Sequence, residues 1–231
     1  MSCAESKERC RGEEETKCSS HACMHEPETR PRTSRAHCAQ LECIAKRTLS
    51  SVSILHPGNT KAEPAMILQG TLSTYNPQTR LTMFESGPQN SPTSVLFIGG
   101  LMDGYNAVPY LPLLSEALAS ELGVSLIQVM LSSSHAGYGT ATLMEDVWEL
   151  DILLTYLREQ RNKTRIFIIG HSTGSQDAIK YATHGKNQSV VKGIVLQGAV
   201  SDREFLSSSV ENYGKYLRLA QRMINDGKVC V

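Results

Sequence analysis

The chain has 231 residues, 40% of them apolar and 20% charged, and its 23 basic side chains balance 23 acidic ones. This is a globular composition with no net field to draw nucleic acid or an anionic membrane surface, so neither partner is expected. No apolar run reaches the roughly 18 residues that span a bilayer, and the polar start Met1–Cys10 matches neither a signal nor a transit peptide, which leads us to expect a cytoplasmic protein.

Residues 1–60 lack sustained apolar periodicity and are rich in Glu, Arg, Ser and Thr. They read as a disordered extension ahead of one folded domain over 61–231. Six of the seven cysteines fall here (Cys3, Cys10, Cys18, Cys23, Cys38 and Cys43), with Cys230 near the end. With His21, His25 and His37 close by, a metal-binding module is one reading of this segment. No Cys-x2-Cys pair is present, however, so free thiols without a metal are the expectation.

Ala65–Leu72 and Arg80–Glu85 read as strands joined by a turn at Asn76-Pro77, forming an antiparallel hairpin at a sheet edge. Ser94–Ile98 is a continuous apolar run of the kind that suits a strand buried on both faces. A helix over Pro109–Leu122 ends at Gly123, and Val124–Leu131 follows as a strand. After a Ser/Gly-rich loop, helical spacing runs over Thr140–Gln160. Next come a strand at Arg165–Ile169, a helix at Ser175–Thr183, a strand at Val191–Leu196 and a single helix from about Glu204 to Asp226. Strands alternating with helices of this length imply a mostly parallel sheet covered on both faces.

Gly170-His-Ser-Thr-Gly174 fits Gly-x-Ser-x-Gly between a buried strand and a helix. In a nucleophile elbow that context puts the serine on a tight turn, its hydroxyl exposed and the helix N-terminus beside it. Ser172 is therefore the expected nucleophile. The oxyanion donors are expected to be the N–H of Thr173, the residue after it, and the N–H of Leu101 in the glycine-rich loop Gly99–Gly104. No metal or organic cofactor is implied.

Phe97–Gly104, Gly137–Thr140, Gly170–Asp177 and Ser201–Glu204 resemble a little-characterised α/β-hydrolase family of fungi and plants, long catalogued as a domain of unknown function. Its fungal members include siderophore ester hydrolases. The likeness runs from about residue 66 to 205. It implies the α/β-hydrolase fold and a serine esterase acting on a small-molecule ester; it does not fix the substrate, nor separate esterase from thioesterase or acyltransferase.

In this fold the triad order is Ser, Asp or Glu, then His. The only histidine after Ser172 is His184, at the far end of the following helix. His135 lies in a loop on the correct sheet edge, His171 is expected to pack in the elbow, and Asp202 to cap the next helix. The sequence thus reads as a hydrolase lacking its last strands and its base, with impaired turnover. In subtilisin, losing the histidine alone costs about 10⁶ in kcat. The alternative is an inactive shortened form that binds a ligand or partner. The last strand is expected to present an exposed edge, partly covered by the final helix and prone to self-association.

Overall fold

The computed structural model describes residues 67–227. The cysteine-rich segment, the proposed metal module and the terminal Lys228–Val231 lie outside them. Six strands form one sheet: β1 (Gly70–Asn76), β2 (Leu81–Ser86), β3 (Thr93–Ile98), β4 (Ser125–Val129), β5 (Arg165–His171) and β6 (Val191–Gln197). Their order across the sheet is β1-β2-β4-β3-β5-β6. The pairs β1–β2 and β2–β4 are antiparallel and the rest parallel, which puts the expected hairpin at one edge.

Every residue of β3 is buried, because its alternating side chains serve two cores. Val95 and Phe97 point to one face, where α1 (Leu111–Ala117) contributes Leu111 and Leu114. Leu96 and Ile98 point to the other, against α2 (Leu143–Gln160) and α3 (Gly174–His184). Leu150, Leu153, Leu154 and Leu157 form the apolar stripe of α2, each fully buried. At about 1.5–3 kcal/mol per side chain, this stripe is what holds the helix to the sheet.

Several boundaries differ from the sequence expectation for physical reasons. The first strand starts at Gly70, and its turn follows Asn76, whose Oδ1 accepts the Gln78 N–H. The first helix loosens into a wider, π-type turn over Leu118–Leu122 before Gly123 stops it at φ +62°. Helix α2 begins only at Leu143, because Thr142 and Glu145 form a reciprocal capping box. Strand β5 runs two residues further than expected, to His171, which carries it directly into the elbow.

The single helix expected after Glu204 is two: α4 (Asp202–Ser209) and α5 (Tyr213–Asn225), broken at Asn212, which sits at φ +60°. Ser201, not Asp202, caps α4, its Oγ accepting the Glu204 N–H. Neither helix buries a side chain; Phe205 is 65% exposed and Leu217 54%. The expected cover of β6 by the final helix is therefore not formed, and the strand's residues stay half-buried.

Opposite the site end, Lys163 is fully buried. Its Nζ donates to the carbonyls of Gln89 and Ser91 and lies 2.7 Å from Glu85 Oε1. Arg161 meets the other oxygen of Glu85, also at 2.7 Å. This cluster ties the start of β5 to the β2–β3 connection.

Candidate active site

The chain leaves β3 towards β4 on one side and leaves β5 towards β6 on the other. A crevice therefore forms outside the carboxyl ends of β3 and β5, the place where open α/β sheets bind ligands. Two segments fill it: the loop after Ile98 and the turn after His171.

Ser172 occupies that turn at φ +52°, a left-handed conformation that L-residues with a Cβ adopt at a cost of about 1–2 kcal/mol. Three contacts hold it there. The Ser172 N–H donates to Gln197 O at the end of β6, the Ser175 N–H donates back to Ser172 O, and Ser175 Oγ donates to Gly170 O. Side chains at the flanking glycines would collide with main chain. A Cβ on Gly170 would stand 2.5 Å from Gly174 O, and one on Gly174 would stand 2.5 Å from Ile98 O and closer still to Gly99 O. The missing side chain at 174 thus lets α3 start against the end of β3.

Across the crevice, Gly100 approaches so closely that a Cβ there would lie 2.9 Å from Ser172 Cβ. Its N–H is taken by Asp103 Oδ2 at 2.8 Å, and Asp103 N–H returns a bond to Gly100 O. The next amide, Leu101 N–H, makes no hydrogen bond among the described residues, and neither does the Thr173 N–H. Leu101 and Thr173 line one cavity of about 250 Å³, together with Gly100. Ser172, half-buried, adjoins that cavity without being part of its wall. Asp103, which fixes this loop, was not anticipated; its only trace in the sequence is an acid three residues after a glycine.

The histidines separate as follows. His171 stacks on Phe97, with centroids 6.0 Å apart, meets Tyr110 edge-on, and bonds Gln197 Oε1 through Nδ1. It packs in the elbow and makes no hydrogen bond to the Ser172 hydroxyl. His184 is exposed and bonded to Thr183 and Lys180, about 15 Å along α3 from its start. His135 is exposed, at φ +51°, with its ring against Gly104. Among the described residues, none hydrogen-bonds Ser172 Oγ.

A carboxyl pair lies beyond the elbow. Asp146 and Asp177 stand in the first turns of α2 and α3, both buried and close enough to couple electrostatically; Ser133 Oγ donates to Asp146 at 2.8 Å. Burial, then the Asp146 charge, push the Asp177 carboxyl up to about 8. Asp146 is also raised, by burial. Asp202 Oδ2 accepts the Tyr138 hydroxyl at 3.5 Å and lines the same cavity as Asp177. This pair was not legible in the sequence, since its members are 31 residues apart and meet only when two helix N-termini converge.

Among the described residues, no group of three or more metal-ligating side chains is placed to hold a metal ion, and no helix is long and apolar enough to cross a membrane. Residues 59–230 match the family described as protein of unknown function DUF1749. Esterase AN6793 of Emericella nidulans is 30% identical over 182 residues, covering 64% of this chain and 48% of the relative. Fusarinine C esterase sidJ of Aspergillus fumigatus is 30% identical over 160 residues, covering 59% and 45%. The solved siderophore hydrolase EstB from Aspergillus fumigatus superposes with a TM-score of 0.53 at 32% identity, covering 63% of this chain and 46% of that one. The chain thus spans about half the length of these relatives. It belongs to the DUF1749 family and has the α/β-hydrolase fold.

Proposed function

We propose that this DUF1749 member is a serine hydrolase of carboxylic esters, with Ser172 as nucleophile and the N–H groups of Thr173 and Leu101 as oxyanion donors. The observation that carries this reading is Ser172 itself, held at φ +52° on the turn between β5 and α3 at the sheet's switch point. A strained conformation kept by three flanking hydrogen bonds is what a nucleophile elbow requires. Two amides without internal partners, one following Ser172 and one following Gly100, supply the donors that a developing oxyanion needs.

In the first step Ser172 Oγ bonds to the ester carbonyl carbon, the carbonyl oxygen takes the negative charge, and the hydroxyl proton passes to a base. The alkoxide then leaves with a proton, and water releases the acid from the acyl-enzyme. No described residue hydrogen-bonds Ser172 Oγ, so in this proposal the base of the described domain alone is solvent or an added buffer, and slow turnover is the expected outcome. Relatives named as a fusarinine C esterase and a siderophore hydrolase make siderophore-type esters the first substrates to try. No metal or cofactor enters this reaction.

A second reading, favoured by the same free Oγ, is a protein that binds an ester-like ligand or a partner without turning it over. Acyl-enzyme trapping separates the two. Incubation with p-nitrophenyl butyrate and added imidazole should leave a butyryl adduct on the peptide containing Ser172, absent in Ser172→Ala. An unmodified Ser172 peptide would favour the binding reading.

A further inference from the structure

Helix α5 separates its side chains by chemistry. With 3.6 residues per turn, Tyr216, Leu217, Leu219, Met223 and Ile224 gather on one side of it, and Lys215, Arg218 and Arg222 on the other. Those five apolar side chains are each between 43% and 58% exposed, and the three basic ones are exposed as well. None of the three cations is in an ion pair among the described residues. The helix itself holds no acid; Glu211 and Asp226 lie just outside its ends. The zero net charge of the whole chain, which speaks against a membrane surface, averages over this separation.

We propose that α5 is a membrane-surface helix, which lies in the plane of an anionic lipid leaflet with its apolar side among the acyl chains. A helix of this kind sinks its apolar side about 5–10 Å into the boundary between headgroups and acyl chains. Lysine and arginine on the other side lay their stems along that boundary and carry their charges back to the phosphates. Charge complementarity is what commits the face to lipid. Three unpaired cations with no acid among them match a layer of anionic headgroups, whereas a second copy of the chain seated on the apolar side would leave all three unmatched. The proposal does not rest on the reading of Ser172 as nucleophile.

The test is flotation of the full chain with vesicles of phosphatidylcholine alone and of phosphatidylcholine containing one quarter phosphatidylserine. The chain should bind the anionic vesicles about tenfold more tightly or better. That preference should fade as salt rises from about 0.1 M to about 1 M, where the screening length falls from about 10 Å to about 3 Å. Leu217→Glu puts a charge on the apolar side and should abolish binding to both kinds of vesicle. Replacing Lys215, Arg218 and Arg222 together by glutamine should remove only the anionic preference. All four positions are exposed, so these variants are expected to fold with the Tm of the parent. No binding to anionic vesicles, equal binding to both kinds, or binding undiminished in Leu217→Glu would overturn the proposal. A dimer in light scattering that Leu217→Glu dissociates, with no vesicle bound, would overturn it in favour of a second copy on the apolar side.

Discussion

At the residue scale, the site is a set of close approaches that leave no room for a Cβ. Gly174→Ala sets a methyl against the carbonyls of Ile98 and Gly99, both main chain, which cannot rotate away. The expected cost is about 3 kcal/mol, a fall of roughly 6–12 °C in Tm by differential scanning calorimetry. A second residue-scale prediction concerns pH. Folded Asp177 keeps its proton up to about 8, whereas an unfolded aspartate releases it near 4. Between those values the folded state binds more protons. The stabilisation is complete below about pH 4 and lost as pH rises towards 8, by at most about 1.4 kcal/mol per unit. Denaturant unfolding at pH 5 and pH 7.5 should show the lower stability at 7.5, and Asp177→Asn should flatten that slope. Equal slopes in both proteins would remove Asp177 as its source. The elbow pentapeptide was legible because its chemistry is local: two glycines around a serine, between an apolar run and a helix. The Asp146–Asp177 pair was not, because neither acid has a local feature that names its partner.

At the element scale, strand identity was legible throughout, while helix starts and ends were set by single side chains. Thr142 and Glu145 form a capping box that the apolar spacing alone could not place, so the expected start at Thr140 was early. Asn212 breaks the last helix, which the run of apolar positions had suggested was continuous. Strand β5 offers a test of how the elbow is anchored at its distant end. Lys163→Met leaves Glu85 buried with only Arg161 to pair it, and should cost about 3–5 kcal/mol. Adding Glu85→Gln should recover part of that loss by removing the stranded charge. A single variant as stable as the parent in urea would show the cluster to be dispensable.

At the scale of the whole molecule, the sheet order made the site's location intelligible: β3 and β5 diverge, and the elbow and its facing loop fill the gap. The order itself was legible only as a class, since periodicity marks strands but not their neighbours. The packing of the last two helices was misread, because an amphipathic pattern shows that a face seeks cover without showing that cover exists. Helices α4 and α5 bury no side chain, so their amides should exchange with deuterium far faster than those of β3 and β5. Protection of α5 equal to that of β3 would mean that another surface covers it, and self-association through the half-buried β6 edge is then the first explanation to examine.

The most direct test of the account is chemical rescue of hydrolysis. The rate of p-nitrophenyl butyrate cleavage is measured for the chain and for Ser172→Ala across a series of imidazole concentrations. Imidazole supplies a base to an elbow whose hydroxyl has no described partner, so the rate of the parent chain should climb well above that of the variant as imidazole rises. Identical rates for the two proteins at every concentration would contradict the assignment of Ser172 as the nucleophile.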